Sequence, residues 1–108
     1  MKNLDEGKII DIKSFLDYKE GEITNLELAN NDGLKLIMMA FDKETGLKPH
    51  AAPCDTLLLA LEGKAKILVG DNEFIISEGE EIVLIMGIIH NVTSQGKFKM
   101  LLILEKEN

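Results

Sequence analysis

Thr56-Leu57-Leu58-Leu59-Ala60-Leu61-Glu62-Gly63-Lys64-Ala65-Lys66-Ile67-Leu68-Val69-Gly70-Asp71-Asn72-Glu73-Phe74-Ile75-Ile76 is the stretch that decides the fold. Lys64 and Lys66 alternate with Ala65 and Ile67, the period of two that puts successive side chains on opposite faces of a strand. Gly70-Asp71-Asn72 separates two apolar runs and predicts a tight hairpin. Glu62-Gly63 predicts a second turn. The run before it, Leu57–Leu61, is apolar on both faces.

The same punctuation continues outward. From Gly21 on, glycines stand at 33, 46, 63, 70, 79, 87 and 96. Between them lie Glu22–Leu28, Leu34–Phe41, Lys64–Val69, Glu73–Ile76, Ile82–Ile85, Ile88–Thr93 and Phe98–Leu104, rich in Ile, Val and Leu. Many short strands with turn signals at this spacing predict an all-β sandwich or barrel. Lys97 and Lys99 are expected on one face and Phe98 and Met100 on the other. Only Lys13–Tyr18 has any helical character. One domain is expected from 108 residues, with residues 1–33 as N-terminal strands and an arm on the barrel, and 34–108 as the barrel core.

Three runs, Leu34–Phe41, Leu57–Leu61 and Leu101–Leu104, are apolar on both faces. One face fills a barrel, and the other needs cover because large apolar patches are uncommon on monomers. A sheet-to-sheet homodimer is the expected cover; the alternative is the N-terminal segment folding over these strands.

Composition excludes several functions. The chain is 45% hydrophobic and 29% charged, with a net charge of −7, and its basic residues are all lysines. Without arginine or a basic cluster, it lacks the phosphate-neutralising surface that nucleic acids and anionic membranes select. No apolar run approaches the roughly 20 residues of a membrane helix. The N-terminus has no signal-peptide pattern, so a cytoplasmic location is expected. Cys54 is the single cysteine, so no internal disulfide forms. No phosphate-cradling loop, nucleophile elbow or calcium loop is present.

The chemistry-bearing residues fall in two segments. The first runs Gly46-Leu47-Lys48-Pro49-His50-Ala51-Ala52-Pro53-Cys54-Asp55-Thr56 and closes at Gly63; the second runs from Gly79 through Gly87 to His90. His50, Ala52 and Thr56 share a parity, so an extended strand puts them on one face. His90, Val92 and Ser94 share another. With the two strands side by side, both imidazoles enter one cavity.

From Leu34 to Leu104 the chain resembles the cupin family. The first cupin motif has a glycine, a His-x-His pair, a glutamate and a closing glycine; Gly46, His50 and Gly63 fit it. The second has a glycine, Pro-x-Gly, a histidine and an asparagine; Gly79, Gly87 and His90 fit it. His50 followed by Pro53-Cys54-Asp55 also looks like the His-x-x-Pro-x-Asp pattern of a subgroup of small single-domain cupins. The resemblance implies a jelly-roll barrel, a double-stranded β-helix, with the motif residues facing inward. The departures are Ala52 for the second histidine, Thr56 for the glutamate, Ile85 for the proline and Ser94 for the asparagine.

Two functions follow as expectations. One is a binding module holding a small molecule in a pocket of His50, Ala52, Thr56, Met86 and His90. The other is a metal-dependent cupin enzyme, an oxygenase or isomerase. Its divalent Zn, Ni, Fe, Mn or Cu would sit on His50 and His90, with Asp55, Cys54 or only water in the third position. Cys54 as a nucleophile beside His50 or His90, oriented by Asp55, is a less favoured reading. A barrel filled by its own side chains, serving only interaction, is a further alternative.

Overall fold

A computed structural model describes residues 1–106. The described residues form seven strands: β1 (Ile23–Asn30), β2 (Leu34–Phe41), β3 (His50–Ala51), β4 (Thr56–Val69), β5 (Asn72–Ser77), β6 (Glu81–Leu84) and β7 (Ile89–Glu105). All pairings are antiparallel. The order is β1-β2-β7-β4-β5, with β3 also on β7 and β6 also on β4. The predicted hairpin closes β4 onto β5, with Val69 opposite Asn72. Among the described residues helix is confined to one 3-10 turn, Ile12–Phe15, which overlaps the start of the segment Lys13–Tyr18 expected to have helical character.

The β4–β7 ladder is the spine. It runs from Thr56 opposite Leu104 to Val69 opposite His90 and shifts register around Glu62. The turn expected at Glu62-Gly63 is therefore an irregularity inside one continuous strand, and Gly96 likewise lies within β7. Gly63 has φ +74°, and a Cβ there would lie 2.0 Å from the Lys97 carbonyl oxygen. Glycine permits both that conformation and that approach. Past this irregularity the two halves of the ladder enclose one core. Leu58, Ala60, Phe98 and Met100 come from one half and Ala65, Ile67 and Val92 from the other, all at most 4% exposed. Phe41 packs on Phe98 with ring centroids 5.7 Å apart.

The outer face carries the N-terminal arm. Lys99 has outward parity but is only 7% exposed. Its ammonium donates to the Lys13 carbonyl at 2.6 Å and lies 4.9 Å from the Tyr18 ring centroid. Tyr18 in turn donates to the Glu62 carboxylate, and the Lys2 amide bonds the Leu28 carbonyl at 2.7 Å. Met38 and Ala40, also of outward parity, are fully buried. This is the cover that the alternative to a dimer foresaw, but it is partial. Leu36, Ile103, Leu57 and Val83 align across β2, β7, β4 and β6. Val83, at the end of that row, is 58% exposed.

Candidate functional site

His90 is held between two strands, opposite Val69 of β4 and opposite His50 of β3. The turn before β7 sets this register. Gly87, at φ +84°, donates its amide to the Ala52 carbonyl at 2.9 Å, and the Ala52 amide reaches the Ile88 carbonyl at 3.3 Å. The two imidazole centroids lie 4.4 Å apart with the rings tilted by 59°.

The two histidines differ in surroundings. His50 is exposed, and its Nδ1 lies 2.9 Å from the Lys48 carbonyl oxygen. A carbonyl only accepts, so Nδ1 carries the proton and neutral His50 keeps its lone pair on Nε2. His90 is buried, and its Nδ1 has no hydrogen-bond partner among the described residues. Burial and then the neighbouring His50 hold its pKa below the ordinary histidine value, opposed by the Ile88 backbone. His90 is thus neutral at physiological pH.

Both rings line a small cavity of about 60 Å³ with Leu47, Pro53, Thr56, Leu58, Leu84, Val92, Met100, Leu102 and Leu104. Pro53 and Leu104 are also walls of a larger, open cavity of about 510 Å³, completed by Lys35, Cys54, Met86 and Lys106. The larger one falls within the roughly 300–1,000 Å³ of small-molecule pockets, whereas the smaller does not.

The other residues expected at the site are dispersed. Thr56 lines the small cavity, but its hydroxyl donates to the Cys54 carbonyl at 3.0 Å. Met86 lines the larger cavity. Ala52 is buried and lines neither. Asp55 accepts the Met86 amide at 2.8 Å and so fixes the turn before β7. Among the described residues, no group of three or more His, Cys, Asp or Glu converges to hold a metal ion. Asp55 and Cys54 are therefore not the third ligand expected beside His50 and His90. Among the described residues no hydrogen bond joins the buried Cys54 thiol to either imidazole, so the expected nucleophile pair is not assembled.

No protein-family model and no curated protein matches the sequence. Solved structures do. A cupin superfamily protein from Desulfitobacterium hafniense is 24% identical, with a TM-score of 0.94 over 98% of this chain and 97% of that one. A cupin 2 conserved barrel domain protein from Leptotrichia buccalis is 39% identical over 87% of this chain, with a TM-score of 0.84. The chain is a small cupin domain by fold. It spans 46% of the Leptotrichia protein. A conserved protein of unknown function from Streptococcus pyogenes has the same architecture, with a TM-score of 0.93 at 24% identity.

Within this cupin domain the residues missed by sequence reasoning are the apolar walls and the two lysines. Lys35 stands inside the run Leu34–Phe41. Only the register Lys35–Leu104–Thr56 reveals that it shares the inward parity. The donor set does not fit a metal centre of the usual kind, because two imidazoles fall short of three protein ligands.

Proposed function

We propose that this cupin domain is a small-molecule-binding module. Its ligand occupies the larger cavity and presents a polar group to His50 and His90 past Pro53 and Leu104. One observation carries the reading. His90 lines a mostly aliphatic cavity, its ring is buried, and its Nδ1 meets no partner at hydrogen-bond geometry among the described residues, with only the Ile88 backbone nearby to favour its charged form. Buried polar groups are nearly always hydrogen-bonded, and a ligand group of matching polarity supplies the missing bond. The apolar walls supply affinity through burial, at about 25 cal/mol per Å² removed from water.

A metal-dependent oxygenase or isomerase is the competing reading. It draws on the same two imidazoles and on the free Nε2 of His50. Nuclear magnetic resonance titration separates the two. A library of small organic fragments is expected to shift the amides around His50, Thr56, His90 and Val92, with no metal required. Tight zinc binding at His50 and His90 in place of fragment binding would establish the metal reading.

A further inference from the structure

The mouth of the cavity brings two lysines together in an acidic chain. The net charge is −7, and the ion pairs among the described residues engage Lys2, Lys19, Lys66 and Lys99. Lys35 and Lys106 are in none of them, although the Lys35 charge also acts on the Glu27 carboxylate, and both line the same cavity of about 510 Å³. Lys35 occupies an inward-parity position at the end of the barrel, in the row Lys35–Leu104–Thr56–Leu84. The Lys106 ammonium donates to the Asn30 side-chain oxygen, a neutral partner that orients the cation without cancelling its charge. The remaining walls are Pro53, Cys54, Met86 and Leu104. Met86 is 47% exposed, which gives the opening an apolar lip.

A concave surface that carries two cations among aliphatic and thioether groups is complementary to an amphiphilic anion. We propose that this mouth binds small carboxylates with an apolar body. The carboxylate lies against Lys35 and Lys106, and the body lies along Met86, Pro53 and Leu104. Lysine ammoniums act as point charges and need no fork geometry. The inference deepens the pocket reading above and rests on it for the ligand's far end, which is directed to the histidines.

Octanoate and octanol are the probes, since they share a chain and differ in charge. Titration of the full chain is expected to show saturable octanoate binding, with octanol about fivefold weaker or more. Lys35→Met and Lys106→Met are each expected to weaken octanoate about three- to fivefold while leaving octanol unchanged. Lys35→Arg retains octanoate binding and guards against a folding defect. Raising the salt to about 0.5 M weakens octanoate selectively. Octanol binding as tightly as octanoate, lysine variants that leave octanoate unaffected, or no saturable binding would each overturn the proposal. Lysine-dependent octanoate binding that leaves the His90 amide unshifted supports the anion site and refutes the histidine pocket, so the two failures are distinguishable.

Discussion

His90 brings together burial, neutrality and an unmet hydrogen bond, and this has a consequence for stability. Its folded pKa lies below the ordinary value of about 6.5. Protonation therefore favours the unfolded chain. The stability that neutral His90 preserves is fully present above about pH 6.5 and is lost as pH falls from there to the folded value. The melting temperature is expected to drop between about pH 7.5 and 5.5, and to drop less in His90→Gln. An equal slope in wild type and variant would contradict this. Asp42 acts in a separate window. The Gly21 and Lys43 amides hold its carboxyl below the usual range, so its contribution is lost only in strong acid. The histidines were legible from parity and motif spacing alone. Lys35 was not, because its inward position depends on cross-strand register, which local alternation inside an apolar run does not reveal.

At the scale of elements, sequence reasoning found the strands and misjudged two of their boundaries. Glu62-Gly63 and Gly96 have the composition of turns, but β4 and β7 pass straight through them. A glycine with positive φ serves a strand irregularity as well as a turn, and only the partner strand decides between them. The two glycines differ in what surrounds them. A Cβ at Gly63 would meet the Lys97 carbonyl oxygen at 2.0 Å, whereas one at Gly96, at φ +79°, meets nothing within 4 Å. Gly63→Ala is expected to cost about 2–4 kcal/mol, lowering the melting temperature by roughly 10 °C or more. Gly96→Ala is expected to cost about 1 kcal/mol. Equal effects in thermal denaturation would show that the Gly63 approach is not what bends the ladder. The same logic explains Lys99. Alternation pointed it to the outer face, and the arm carrying Lys13 and Tyr18 then covered it.

The whole molecule is a barrel with an arm across one outer face and a two-histidine cavity inside. Its all-β class was legible because hairpin chemistry and alternation agree along the chain. The assembly was not, because one sequence permits either cover for an apolar face. The arm takes part of that face, leaving Leu36, Ile103, Leu57 and Val83 as the row for the homodimer that sequence reasoning expects. Sedimentation at micromolar concentration should then give twice the chain mass, falling to the single mass in Val83→Asp; a monomeric wild type removes the dimer. No described helix is long and apolar enough to cross a membrane. The central claim is that the cavity beside His50 and His90 receives an organic molecule, and the fragment titration tests it most directly when His90→Phe is run alongside. The account predicts saturable shifts at the amides of His50, Thr56, His90 and Val92 that disappear when the aromatic ring replaces the imidazole. Unchanged shifts in His90→Phe, or silent amides in a protein that instead takes up one zinc ion, would contradict it.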